Sequence, residues 1–333
     1  MRIQISFLLI GVVAFLSCTP SLETSSTAKI RVILDTDANN ELDDQHAIAY
    51  LLLNGTVFDV DGITVNATRN GGDINEHAAE AERIVRLCNV FPKIKVYKGA
   101  NGSFEEIQDK VDSSDFDGVE AVNYIINKAH EQASGTLVLL PVGKLTNIAL
   151  ALKKDPSIVN KVRIVWLGSN YPEPGEYNQV NDEPALNVLL NLDVPLECAI
   201  VRYGKSSGTD AVRVTPGDMG KNMPGAGPKI SPPVIGRHGG QFSTFGDYSI
   251  NLFQNTDLYG DPPSRALFDM AAVAIVKNPD WATATEIPAP ILQDGQWQER
   301  SENPRKIIIW ENFDREAILA DFFATMQDYV LVE

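Results

Sequence analysis

Between Val32 and Gly55 the chain reads VILDTDANNELDDQHAIAYLLLNG, which places five acidic side chains, Asp35, Asp37, Glu41, Asp43 and Asp44, within ten residues. The apolar run before it, Lys29 to Leu34, has the length and composition of a short buried strand. The residues after it place Leu42, Ala47, Ile48, Leu51 and Leu52 at helical spacing. The acids therefore sit on a strand-to-helix loop, and in an open α/β sheet ligands bind outside the carboxyl ends of the strands. A lone Asp there would be an ordinary turn or helix-capping residue. Five that are close and ionised would repel one another, so the pattern calls for a divalent cation or for raised carboxylate pKa values.

The rest of the chain alternates in the same way. Strands are expected near Val57–Asn66, Ile94–Tyr97, Thr136–Leu140, Val162–Leu167 and Leu196–Val201. The stretches NEHAAEAERIVRLC, GVEAVNYIINKAHEQA and LTNIALALKK read as helices between them. The fold class that follows is α/β, a Rossmann-like mixed, mostly parallel sheet flanked by helices, forming one domain over residues 30–333. From Val214 to Ser249 Gly and Pro recur, and little regular structure is expected. A segment of that length is either a flap over the site or a surface excursion.

Arg2, an apolar stretch from Ile3 to Leu16 and the sequence FLSC ending at Cys18 resemble a lipoprotein-type signal. Residues 1–17 are expected to be removed, Cys18 acylated, and residues 18–29 to form a flexible tether. That implies an exported, lipid-anchored protein of the periplasm or outer membrane. Only Cys88 and Cys198 then remain, so no disulfide framework is implied. A formal net charge of -16 argues against a nucleic-acid partner, because phosphate binding relies on Lys and Arg.

Three further segments fall where strands should end: LPVGKLTNIALAL (Leu140 to Leu152), GSNYPEPGEYNQVNDEPALNVLL (Gly168 to Leu190), and SRALFDMAAVAIVKNPDW, which carries Asp269. In the second, Asn181 or Asp182 could equally cap a helix running from Pro184. With the opening DTD and DD pair, their order and spacing from Ile30 to Trp281 resemble the calcium-dependent nucleoside hydrolases of the inosine-uridine-preferring superfamily.

That resemblance implies an N-glycosyl hydrolase of EC 3.2.2 type, acting on a ribonucleoside or related N-riboside with Ca2+, and commonly a homodimer or homotetramer. It casts Asp37 as metal ligand and general base, and Asp44, Asp269 and the Val142 backbone carbonyl as further calcium ligands. Asp43, Glu176 and Asn178 match residues that hold ribose hydroxyls, and Asp35 a supporting residue. An Asn after the second strand is matched by either Asn66 or Asn70. An Asn of the third segment has no counterpart, and Asn170 is its nearest substitute.

The chain departs from the family pattern in two places. The opening turn, ANNEL, is two residues longer, and Phe268 stands where many members carry a His that protonates the leaving base. Phe has no proton to donate, which leaves three alternatives: another acid, with His238 of the Gly-rich segment as the favoured candidate, stacking on the aromatic ring of Phe268, or a different substrate. Two other readings follow: a surface lipoprotein that binds a sugar or nucleoside without turnover, and a haloacid-dehalogenase-type phosphatase suggested by DTD alone. An EF-hand starting at Asp35 fails, since its sixth and twelfth positions are Asn40 and His46.

Overall fold

The computed structural model describes residues 28–133 and 135–333. The signal sequence, Cys18 and the tether as far as residue 27 lie outside the described residues.

Six strands run in chain order as β1 (Ile30–Thr36), β2 (Phe58–Val65), β3 (Val96–Lys98), β4 (Leu137–Pro141), β5 (Val162–Leu167) and β6 (Leu196–Ala199). Two later strands, Thr283–Pro288 and Lys306–Glu311, complete an eight-stranded sheet. Its order is 283–288, 306–311, β6, β5, β4, β1, β2, β3. Every pairing is parallel except that of the edge strand 283–288 with 306–311. The sheet is thus mixed and mostly parallel, and the five strands expected after β1 are present within a few residues of their expected limits.

Side chains alternate across the central strands. Val32 and Leu34 of β1, Val138 and Leu140 of β4, and Val165 and Leu167 of β5 join one core. Ile33, Leu137, Leu139, Ile164 and Trp166 join the other. A sheet buried on both faces needs this apolar content at every position, which is why these segments read as continuous hydrophobic runs.

The chain moves outward from β1 to β2 and β3, then returns to place β4 on the opposite side of β1. The strand order reverses there, and the loops after β1 and β4 diverge to open a crevice. Helices Asp43–Leu52 and Phe268–Lys277 both begin beside it, and their alanines, Ala47 and Ala49 on one and Ala271, Ala272 and Ala274 on the other, are all buried in the same core. Side chains this small let the two helix axes approach closely.

The Gly- and Pro-rich segment is more regular than its composition indicates. It contains a helix, Pro216–Asn222, a short hairpin pairing Val234–Ile235 with Gln241–Phe242, and the start of helix Phe245–Gln254. Thr215 with Asp218, and Thr244 with Asp247, supply the N-terminal caps. The hairpin is tied down, because Arg83 Nε donates to the Ile235 carbonyl (2.6 Å) and Arg237 Nη1 to the Glu41 carbonyl (2.8 Å).

Candidate active site

The crevice holds a cavity of about 380 Å³ whose floor and walls include Asp37, Asp43, Asp44, Val142, Glu176, Asn178, Phe268 and Asp269. Its buried acids foreseen from the sequence come from four chain segments. Asp37 follows β1, Asp43 and Asp44 open helix Asp43–Leu52, Asp269 opens helix Phe268–Lys277, and Glu176 precedes helix Tyr177–Asn181. Leu42 and Leu267 hold the N-cap positions of the two acid-bearing helices and offer no side-chain cap. The free N–H groups and positive dipole ends of both helices are therefore left for the carboxylates.

Oxygens of Asp43, Asp44 and Asp269 lie within 4.8 Å of one another, and all three residues are buried. Thr36 Oγ1 donates to Asp44 Oδ1, which also accepts the Asp37 backbone N–H (3.2 Å). Thr68 Oγ1 donates to Asp37 Oδ2 (2.5 Å), and the Tyr177 hydroxyl in turn donates to Thr68 Oγ1 (3.3 Å). Asp35 lies beneath, taking hydrogen bonds from Thr64 (2.6 Å), Asn147 (2.7 Å) and Asn66 (2.9 Å).

Burial is the main force on these acids. It raises Asp35 to about 6 and Asp37 and Asp43 to about 7, against hydrogen bonds that pull the other way. Asp44 is pushed well above its ordinary value by burial and then by the charges of Asp37 and Asp43, and Asp269 by burial and then by those of Asp43, Asp44 and Asp37. A set of hard oxygen donors that cannot all ionise unaided suits a divalent cation such as calcium, which takes six to eight oxygens.

Glu176 spends much of its carboxylate on the backbone: Oε1 accepts Asn178 N (2.9 Å), and Oε2 accepts Ser169 N (2.9 Å) and Gln179 N (2.8 Å). A carboxylate has about four acceptor sites, so one remains for a ligand hydroxyl. Asn178 donates from Nδ2 to the carbonyls of Val142 (2.8 Å) and Leu167 (3.1 Å), which leaves Oδ1 for a ligand. The Val142 carbonyl keeps a second lone pair.

Four expected residues do not line the cavity. Asn66 is buried behind it, with Oδ1 unpartnered. A Cβ on Gly143 would come within 2.9 Å of the Asn66 amide and 3.0 Å of Asp37 Oδ1, so Asn66 packs close to Asp37. Asn70 is exposed and meets the Tyr177 hydroxyl through its backbone N–H (3.2 Å). Asn170 Oδ1 instead accepts Tyr203 N (2.9 Å). His238 faces an adjoining cavity of about 260 Å³, beside Arg237. Asp182, one of the two residues read as a helix cap, does cap helix Glu183–Asn191, accepting Ala185 N (3.2 Å).

The outer wall, Tyr203, Asp210, Arg213, Tyr259 and Arg265, was not foreseen. It is assembled where Arg213–Val214 pairs with Arg265–Ala266, two residues on each side, too short to leave a pattern in the sequence. The one available signal was Arg265 itself, a cation three residues ahead of the Phe268 helix. Phe268 lies edge-on to Tyr203, with ring centroids 6.0 Å apart.

Comparison with known proteins agrees with this geometry. A sequence profile of the inosine-uridine preferring nucleoside hydrolases matches residues 32–320. The chain is 28% identical over 283 residues to the pyrimidine-specific ribonucleoside hydrolase RihB of Escherichia coli (strain SE11), covering 78% of this chain and 82% of that one. Among solved structures, an inosine-guanosine nucleoside hydrolase superposes with a TM-score of 0.68 at 17% identity, over 91% of this chain and all (100%) of that chain. A purine-preferring ribonucleoside hydrolase from Gardnerella vaginalis gives 0.62 at 20% identity, over 89% and 98%. At these identities the structures establish a shared fold.

Proposed function

The chain belongs to the inosine-uridine preferring nucleoside hydrolase family, N-glycosyl hydrolases of EC 3.2.2 type, and from that premise we propose that it hydrolyses ribonucleosides or closely related N-ribosides with Asp37 as general base. The observation that carries the reading is the set of buried carboxylates at one cavity, Asp37, Asp43, Asp44 and Asp269.

Asp44 and Asp269, with Asp37 and the Val142 carbonyl, would hold calcium. When bound, the ion supplies Lewis acidity at the cavity floor and offsets the negative charge gathered there. Asp37 takes a proton from the attacking water. Thr68 occupies one oxygen of that carboxylate and so leaves Oδ1 to face the water. Asp43, Glu176 and Asn178 Oδ1 accept hydrogen bonds from ribose hydroxyls. The carboxylates also favour the positive charge that develops on the sugar as the C1′–N bond breaks.

In this reading the protein is exported, held to a membrane by a lipid on Cys18, and works as a homo-oligomer. The N-terminal sequence supports the first two points and family resemblance the third. The test is release of reducing sugar from a panel of purine and pyrimidine ribonucleosides, with calcium saturating and then removed by a chelator. Calcium-dependent release of ribose supports the reading. Ligand affinity without release would make the protein a binding protein.

A further inference from the structure

Breaking an N-glycosidic bond leaves an electron pair on the departing nitrogen, and something at that end of the cavity must stabilise it. Asp37, Asp43, Asp44, Glu176 and Asp269 line the cavity and suit sugar hydroxyls, and Tyr203, Tyr259 and Phe268 line it as well and offer faces on which a flat heterocycle can stack. Among the described residues, no His, Lys or Cys lines the cavity. Of the cations, Arg213 is held on all three nitrogens, with four of its five N–H groups given away: Nε donates to Ser264 Oγ (2.9 Å), Nη1 to Asp210 (2.7 Å), and Nη2 to the carbonyls of Ser264 (3.0 Å) and Tyr259 (3.3 Å). Asn178 has no free N–H, as both are given to backbone carbonyls.

Arg265 differs. It is buried, stands about 5.5 Å from the Tyr259 ring centroid, and its ionic partner is the carboxylate of Glu41. Its contact with the Asp257 carbonyl is long, at 3.4 Å. Glu41 belongs to the lengthened acidic turn and is exposed on its outer side. Both residues line the main cavity and the adjoining one, so the pair stands between the two.

We propose that Arg265, held in place by Glu41, is the leaving-group residue of this enzyme. It donates hydrogen bonds to a ring nitrogen or carbonyl of the heterocycle as that group leaves as an anion. The preferred substrates are therefore N-ribosides whose leaving group carries such an acceptor. In the step, water loses a proton to Asp37 and its oxygen bonds to C1′. The C1′–N pair departs onto the heterocycle, whose charge Arg265 offsets until solvent returns the proton. This assignment rests on the hydrolase reading above.

The test compares two substrates on Arg265→Gln. Inosine and uridine need stabilisation of the leaving group, whereas p-nitrophenyl β-D-ribofuranoside expels a phenolate that is stable by itself. The variant should lose about 100-fold or more in kcat on the nucleosides, the scale of one acid–base or charge-stabilising contact, and stay within about threefold on the aryl riboside. Parallel losses on both, or no loss on either, would overturn the assignment. Should Arg265→Gln fold poorly, Glu41→Gln leaves the cation and removes its anchor. It should show the same selectivity at smaller size, and equal effects on both substrates would again count against the assignment. Wild type inactive on every riboside would refute the hydrolase reading itself and the Arg265 role with it.

Discussion

Gly143→Ala probes how tightly Asp37, the proposed general base, is held. Gly143 follows Val142 after β4, and a Cβ built on it would lie 3.0 Å from Asp37 Oδ1 and 2.9 Å from both polar atoms of the Asn66 amide. Ordinary contact begins at 3.4 Å, so something must yield by about 0.4–0.5 Å. Asn66 is buried and fixed through Nδ2 to Asp35 (2.9 Å), and Asp35 is held on the other side by Thr64 and Asn147. Asp37, tethered at Oδ2 by Thr68 alone among side chains, is the group that moves.

Misplacement of a catalytic group by 1 Å costs about 100-fold, so half that distance should lower kcat about tenfold. Overpacking by one methyl should cost about 1–3 kcal/mol of stability, which is roughly 2–6 °C in Tm for a domain of this size. Steady-state kinetics and thermal melting at saturating calcium measure both. A variant that melts lower yet keeps wild-type kcat would refute the placement of Asp37 as the group that acts.

Thr68→Val removes the hydroxyl on Asp37 while keeping the shape; kcat should fall about tenfold with KM little changed, and Thr68→Ser should recover most of it. The calcium-free protein should lose stability as pH rises from 5 to 8. Asp35, Asp37 and Asp43 have folded pKa values of about 6, 7 and 7 against 3.8, so between those limits the folded state binds more protons than the unfolded one. Added calcium should flatten that slope, and melting curves across pH check both statements. Cys18→Ala should move the expressed protein from the membrane fraction to the soluble exported fraction, as read by fractionation.

The part of the fold that was legible in the sequence is the part whose pattern is local. Strand β5 is found over Val162–Leu167 as expected, and helix Asp43–Leu52 begins one residue after its expected start, because apolar runs and helical spacing are written in consecutive residues. Asp37, Asp43, Asp44, Asp269, Glu176 and Asn178 reach one cavity because each lies on a loop or a first helical turn at the same edge of the sheet. Strands 283–288 and 306–311 were missed. The edge strand TATEIP is polar and largely exposed, so no buried run announces it. Arg265 is brought in by a two-residue pairing and Tyr259 by a single bridge to Ser264, and contacts that short leave no local period in the sequence. Gly and Pro dominate the composition of Val214–Ser249 and suggest irregular structure, yet capping by Thr215 and Thr244 organises it.

In the proposed reaction Asp37 removes a proton from water at the sugar. Asp37→Asn keeps the size of the side chain and takes away its basicity. With calcium saturating and occupancy verified by titration, kcat for ribose release should fall about 1,000-fold from wild type, within the range that a general base contributes. Turnover within tenfold of wild type would contradict the account and move the base to another of the buried carboxylates.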